Sequence, residues 1–486
     1  MVLLDDSISK AKDRPVKVIQ FGEGNFLRAF ADYMIDIANE KELFDGSIVI
    51  LKAIEYGSLD MFHEQKYQYT LTLRGKQDGK EVNESRIITS VKDAVSVYDE
   101  YEKFMGLAGI DTLRFVVSNT TEAGIAFDEK DSLDALPPRT YPAKLTKFLF
   151  ERYKAFAGDR EKGLIILPVE LIDDNGILLK EYVLKYAKLW SLEEDFITWL
   201  LEACVFCSTL VDRIVTGYPK DEAEAIWEKL GYQDNLLVTA EPFGLWVIES
   251  EKDISKELPL DKAGLPVVFT DNQKPYKQRK VRILNGAHTS FVLASYLAGN
   301  DYVLESMKDE TIRNFMQKVI YEEVIPTLTL PEEELKTFAD SVIERFENPH
   351  IKHALLSISL NSVSKWRARC LPSLLGYIEK NKTLPEHLVF SIAALLSFYS
   401  SSERKDGSLV GRRNGKEYII QDDKEVLDFF AENSAKTSKE FVGLYLSNAN
   451  FHGQDLSLIP SLNEKVTEYL ESIKQNGMRK SLEILG

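Results

Sequence analysis

Between Val16 and Trp190 short apolar runs alternate with longer amphipathic ones, and this alternation constrains the fold more than any other feature. "VKVIQF" (16–21), "SIVILKAIE" (47–55), "LRFVVSN" (113–119) and "GLIILPVE" (163–170) are short, rich in β-branched residues and bounded by turn formers. Such runs read as strands buried on both faces. Between them "GEGNFLRAFADYMIDIAN", "VYDEYEKFMGLA" and "YPAKLTKFLFERYKAF" carry helical periodicity, and "NGILLKEYVLKYAKLW" follows the last strand. "KYQYTLTLR" alternates like one arm of a hairpin. Strands separated by helices predict a mostly parallel sheet covered by helices. After about residue 270 the pattern is helical almost throughout, as in "VRILNGAHTSFVLASYLAG" and "LPEHLVFSIAALLSFY". We therefore expect an α/β chain: a Rossmann-type domain over residues 1–269, then a mostly α-helical domain over 270–486.

Bulk properties exclude several classes. The formal net charge is −17, which opposes binding to nucleic acid or to an anionic membrane. The longest uncharged run, Leu388 to Ser402, suits a buried helix better than a membrane span. "MVLLDDSISK" lacks the basic start and apolar stretch of a secretory signal, and three cysteines make no disulfide framework. A cytoplasmic protein is expected. Residues 1–15 are polar and are expected to fray. Cys204 and Cys207 form C-x-x-C, but no further ligand pair stands nearby, so two small apolar residues at a helix–strand junction is the better reading. "SERKDGSLVGRRNGKEY" (402–418) reads as a surface loop or hairpin.

Chemistry concentrates at two places. In "VIQFGEGNFLRAF", Gly22-x-Gly24 follows a strand and opens a helix, where a dinucleotide pyrophosphate approaches the backbone. Leu27 stands where a third glycine would be. Phe21, Asn25 and Phe26 flank the turn. Glu55, past the second strand, is placed for a ribose 2′-hydroxyl and favours NAD over NADP, although Lys52 is close. "FVVSNTTEAGI" ends a later strand, so Asn119 and Thr120 are expected at the same cleft. The second place is "KVRILNGAHTS". On an α-helix of about 100° per residue, Lys280, Leu284 and His288 form one row, with Asn285 to the far side of His288. Tyr276 and Lys280 also spell Y-x-x-x-K, the tyrosine-base pair of short-chain dehydrogenases, but the glycine-rich start of that family is missing.

The K-x-x-x-x-N-x-x-H run, with "FGEGNFLRA", "LPVELIDDNG", "TLVDRIVTG" and "RFENPHIKH", resembles the polyol-specific long-chain dehydrogenases, the mannitol dehydrogenase family, over nearly the whole chain. The resemblance implies NAD-dependent hydride transfer with no metal. Lys280 would be the general acid/base. Asn175 and Asn285 would hold the substrate oxygen while it carries alkoxide character, and His288 would bond the sugar chain. A lysine base must fall from a pKa of about 10.4 toward neutrality, and desolvation beside Arg279 and Arg282 is expected to push it there.

One departure points to the substrate. Polyol members commonly carry R-L-x-x-D-G-S-x-K; here the run is "SISLNSVSK", with Ser357 in place of the arginine and Lys365 keeping the lysine. This puts a plain polyol in doubt. Within the family, "SNTTEAGI", "YPAKLTKFLFERY", "FCSTLVDRIVTGYP" and "KPYKQRKVRILNGAHT" resemble members that act on a keto-uronate; that resemblance implies a small-molecule sugar acid, whose carboxylate needs a cation. Lys365, Lys352, His353, Arg367 and Arg369 are candidates, and substrate binding is expected at His288, Lys365 and Arg369. Another sugar acid or mannitol, or a protein that holds NAD without turnover, stays open, as does the oligomeric state.

Overall fold

The apolar runs of the first half assemble into one sheet. In chain order the strands are β1 (Val16–Phe21), β2 (Ser47–Lys52), β3 (Tyr69–Gln77), β4 (Lys80–Ile88), β5 (Val91–Ser96), β6 (Phe115–Ser118), β7 (Ile165–Pro168) and β8 (Val205–Phe206). The six-stranded sheet runs β5-β2-β1-β6-β7-β8, and every pairing in it is parallel. Successive residues leave opposite faces. Val18, Ile48, Ile50, Val117 and Ile165 join the core on one side. Ile19, Val49, Leu51, Val116 and Ile166 join the core on the other. Helices Tyr141–Ala155, Asn175–Leu189 and Glu194–Glu202 cover the second side. β3 and β4 belong to a four-stranded sheet with Val215–Gly217 and Val238–Ala240. In a third sheet Leu245–Glu249 lies between antiparallel Ser208–Asp212 and parallel Val267–Thr270.

The computed structural model describes residues 1–121 and 123–486. It divides into two units, Met1–Gly75 with Lys80–Gln273 and Lys76–Gly79 with Lys274–Gly486. In the second unit the helices Gly286–Ala298 and Glu386–Tyr399 are buried over most of their surfaces and form its centre. The "SERKDGSLVGRRNGKEY" segment becomes a small antiparallel sheet. Asp406-Gly407 and Asn414-Gly415, at positive φ, make its turns. The expected fold class, a parallel Rossmann-type sheet followed by a mostly helical half, is borne out. Among the described residues no helix is long and apolar enough to cross a membrane.

Two local expectations need correction. The N-terminus is pinned: Leu4 is fully buried and its N–H donates to Gln233 O at 2.8 Å. The helix after β1 is broken into Asn25–Arg28 and Ala31–Glu40. At the break Arg213 Nη1 donates to Ala29 O at 2.6 Å, satisfying a carbonyl there from a distant strand end. Cys204 and Cys207 are buried, and burial pushes both thiols up to about 12, so they are inert packing groups.

One buried cation closes the edge of the first unit. Arg152 Nε donates to Lys162 O at 2.7 Å, Nη1 to Ala108 O at 2.9 Å and Ile110 O at 3.0 Å, and Nη2 to Leu113 O at 2.8 Å. Burial brings the guanidinium down to about 10, which leaves it charged at neutral pH. Arg152→Met strands these carbonyls. At about 1–3 kcal/mol for each group left unpaired, we expect at least about 3 kcal/mol of lost stability, and an apparent melting temperature lower by roughly 5–10 °C. Thermal unfolding of the full chain checks this, with Arg152→Lys expected to fall between the two.

Candidate active site

The carboxyl ends of β1, β2 and β6 open onto a cleft of about 510 Å³ lined by Gly22, Gly24, Asn119 and Thr120 among others. It lies where the strand order reverses on either side of β1, the place where open parallel sheets bind ligands. Gly22 has φ +125°, and a Cβ there would stand 3.2 Å from Asn119 O, so glycine is required. A Cβ on Gly24 would meet nothing within 4 Å. The backbone at that point is open to a ligand.

Of the residues expected here, Phe21, Asn25 and Phe26 act from beneath. Phe21 packs on Tyr141 and Phe104 in the core, and Phe26 stacks on Phe30. Asn25 accepts from Arg28 Nη2 at 2.6 Å. Glu55 is exposed on the loop after β2, whose Ala53, Ile54 and Tyr56 line the cleft. Lys52 is a buried clasp for that loop. Its ammonium donates to Ile54 O at 3.1 Å, Glu55 O at 3.4 Å and Tyr56 O at 3.5 Å, with Asp99 at 3.7 Å. Sequence reasoning missed Lys144, which lines the cleft and donates to Arg139 O at 2.6 Å. Burial brings its ammonium down to about 8. A signal was present: Lys144 is three residues after buried Tyr141 and four before buried Phe148, a helix face that should be apolar.

Two buried side chains hold the strand ends that form this cleft. Glu170 accepts from Ser118 Oγ at 3.1 Å and from both N–H and Oγ1 of Thr120, at 3.0 and 2.9 Å. Burial raises its carboxyl above the ordinary range, against those bonds. Asn175 receives a task different from the expected one. Its Nδ2 donates to Pro168 O at 3.1 Å, Glu170 O at 3.0 Å and Thr209 O at 3.1 Å. Its Oδ1 accepts from Gly176 N and Thr209 N, both at 2.9 Å. Both amide hydrogens are spent on backbone carbonyls, so Asn175 has no donor left for a substrate oxygen. It ties the end of β7 to the strand Ser208–Asp212. Gly176 follows because a Cβ there would stand 2.2 Å from Cys207 O.

In the second unit the lysine lies in a π-helical turn. The α-helix Lys274–Arg279 gives way to a π segment, Lys280–Asn285, before Gly286–Ala298 resumes. Gly286 N–H bonds Val281 O, five residues back. On a regular α-helix of about 100° per residue Lys280 and Asn285 would stand about 140° apart. A turn that closes by i→i+5 bonds brings residues five apart onto the same side. The straight row expected for Lys280, Leu284 and His288 is therefore broken at the π turn. Lys280 and Asn285 are half-buried. Arg279, expected to press on Lys280, pairs instead with Glu334 and lies over the Phe338 ring, 4.5 Å from its centre. Arg282 Nη1 donates to Thr327 Oγ1 at 3.4 Å. Burial, with Glu334 nearby, raises the Tyr276 hydroxyl, which disfavours it as a base.

His288 sits among cations. Its ring stacks on Phe346 with centres 4.2 Å apart and meets His353 edge-on at 5.2 Å. Its Nε2 is buried and has no hydrogen-bond partner. Burial, then His353, Arg345, Arg369 and Lys365 in that order, hold the imidazole well below its ordinary pKa, hence neutral. The structure thus gathers His288, Lys365 and Arg369 around one point and adds His353 from the wider candidate set. It does not gather Arg367, whose Nη1 donates to Asn450 O at 3.3 Å. Lys352 and Ser357 are exposed. Arg345 was missed, although it stands in the quoted "RFENPHIKH"; a buried arginine ending the helix Glu332–Phe346 is its only trace.

Comparison with known proteins agrees over the full length. A family model described as the mannitol dehydrogenase Rossmann domain matches residues 16–262, and one described as the mannitol dehydrogenase C-terminal domain matches residues 272–474. A protein of Escherichia coli O7:K1 named altronate oxidoreductase is 47% identical over 475 residues, 96% of each chain. One of the same name from Yersinia enterocolitica is 46% identical over 478 residues, 97% of each chain. A D-sorbitol dehydrogenase in substrate-free form superposes with a TM-score of 0.78 at 21% identity, covering 99% of this chain and 100% of that one. Pseudomonas fluorescens mannitol 2-dehydrogenase, solved as a ternary complex with NAD and D-mannitol, gives 0.66 at 21% identity, covering 100% and 99%.

The part assigned to Asn175 separates structure from chemistry. Asn175→Ala should lower stability by about 2–4 kcal/mol, since buried backbone groups lose their partners, and any fall in turnover should track the loss of folded protein. Melting temperature and kcat measured on one preparation check this. A hundredfold drop in kcat at an unchanged melting temperature would restore the oxyanion role.

Proposed function

The chain belongs to the mannitol dehydrogenase family, and on that premise we propose that it interconverts D-tagaturonate and D-altronate by NAD-dependent hydride transfer, with Lys280 as general acid/base. The observation that supports the reading is the π turn: residues five apart in such a turn fall on one side, which suits an amine and an amide acting together, and the helix leads into the cation-ringed His288. The altronate oxidoreductase name of the relatives, at 46–47% identity over nearly all of this chain, supports the substrate.

The first unit fits the cofactor. Gly22 and Gly24 let a pyrophosphate reach the backbone, and the loop after β2 carries Glu55 beside the cleft. Lys52 is spent on three carbonyls and Asp99 and so is not offered to a 2′-phosphate, which supports NAD over NADP. Bound NAD supplies the hydride acceptor, and NADH the donor. In the oxidising direction the neutral Lys280 amine takes the hydroxyl proton of altronate as the carbon loses its hydride. In reduction the ammonium returns that proton to the oxygen. The Asn285 amide donates to the same oxygen while it carries alkoxide character, a bond that strengthens as charge develops. His288, kept neutral, offers its unpartnered Nε2 to a sugar hydroxyl.

The test follows NADH absorbance with a panel of keto-uronates and neutral ketoses. Lys280→Ala should lower kcat by about 10²- to 10⁴-fold, the usual worth of a positioned acid/base, with NADH affinity near normal. Tyr276→Phe should keep most of the activity. An active Lys280→Ala with a dead Tyr276→Phe would reverse the mechanism, and equal wild-type kcat/KM for tagaturonate and fructose would sink the uronate assignment.

A further inference from the structure

In a chain of net charge −17, two cations beside His288, Arg369 and Lys365, stand without a carboxylate partner among the described residues. Arg369 is half-buried, and its side chain donates to Thr289 Oγ1 at 3.3 Å. Among the described residues no carboxylate pairs with it, and burial alone lowers its pKa, with only the buried Cys370 thiol opposing. Lys365, also half-buried, donates to Ile358 O at 3.0 Å. Burial and then Arg369 lower its pKa, and the one acid that it feels is Asp422. That carboxylate is already engaged: it accepts from Tyr399 OH at 2.6 Å and from Asp423 N at 2.8 Å. His353 too is lowered by burial. Cations withdrawn from water without counter-charge are costly, and a fold keeps them where a ligand completes the set.

The cluster is built. The helix Ser362–Arg369 is held at its start, where Ser362 N donates to Tyr399 OH at 3.1 Å and Asn361 N to Gln421 O at 3.1 Å. At its end Cys370 Sγ reaches Gly286 O at 3.6 Å, next to the π turn. Arg369 is thereby fixed beside Thr289, the neighbour of His288.

We propose that Arg369, Lys365 and His353 form the clamp for the substrate's carboxylate, with Arg369 as its principal anchor. The inference rests on the sugar-acid reading above and narrows it to named residues. A guanidinium presents a planar pair of donors that matches a carboxylate in a bidentate way, which a lysine does not. The lysine adds charge, and His353 closes one side against His288.

Two measurements separate this proposal from the reading on which it rests. The first is binding without turnover. D-altronate should raise the melting temperature of the wild-type chain, and D-altritol, the uncharged polyol, should do so far less. Arg369→Met should abolish the difference, and Arg369→Lys should restore part of it. Inorganic phosphate at equal ionic strength is the control; a shift as large as that with altronate would mean a general anion site and overturn the clamp. The second measurement is the ratio of kcat/KM for tagaturonate to that for fructose. One charge-assisted contact is worth about ten- to a hundredfold, so this ratio should fall by that factor in Arg369→Met and by less in Lys365→Met. An unchanged ratio would overturn the clamp while leaving the oxidoreductase reading intact. Altronate binding that depends on Arg369, in a protein that reduces no keto-uronate, would uphold the clamp and remove the reading.

Discussion

Backbone groups at the ends of buried strands must find partners inside the protein, because no water reaches them. The first unit depends on meeting this demand. Its parallel strands are short and covered on both faces, so the chain leaves each one within the core. Polar side chains then take over from the ladder. Asn175 satisfies the carbonyls and N–H groups around β7, and Glu170 does the same for the segment after β6. Lys52 gathers three carbonyls after β2, and Arg213 takes that of Ala29 together with those of Phe243 and Pro242. The nucleotide cleft is the surface left over once these ends have been tied.

The second unit follows a different logic, with charge withheld from partners. Arg369 and Lys365 sit beside a neutral histidine without a carboxylate of their own. Elsewhere in the unit Arg279 has Glu334 and Arg413 has Asp301. Arg369 and Lys365 differ from these in being half-buried beside His288 with no carboxylate partner among the described residues. The π turn belongs to the same design. It shifts the phase of the helix so that the amine at 280 and the amide at 285 share a side.

Much of this was legible. Gly22 and Gly24 could be read because a tight turn at positive φ and a backbone open to ligand both exclude side chains. The segment 402–418 was legible as a surface loop or hairpin, and the structure puts its turns at Asp406-Gly407 and Asn414-Gly415. Lys365, Arg369 and His353 stood among the candidate cations, but nothing in their spacing said which would share a neighbour. Asn175 was read as a donor to substrate, while in the structure its amide bonds backbone groups; an asparagine in either role is spelled alike. The break at Ala29 and the anchoring of Leu4 were invisible because Arg213 and Gln233 are some two hundred residues away along the chain.

By itself the sequence determined what local chemistry and periodicity carry: the strand–helix alternation, the change to helix after about residue 270, the glycine turn and the stock of cations in the second half. These depend on neighbours a few residues apart, where sterics and the alternation of faces act directly. The tertiary structure alone decided the phase of the helix at Lys280, the employment of Asn175 and Lys52, and which cations surround His288. Each is a competition for a hydrogen bond or for a counter-charge among groups far apart along the chain, and such a competition is settled only when folding brings them to one place.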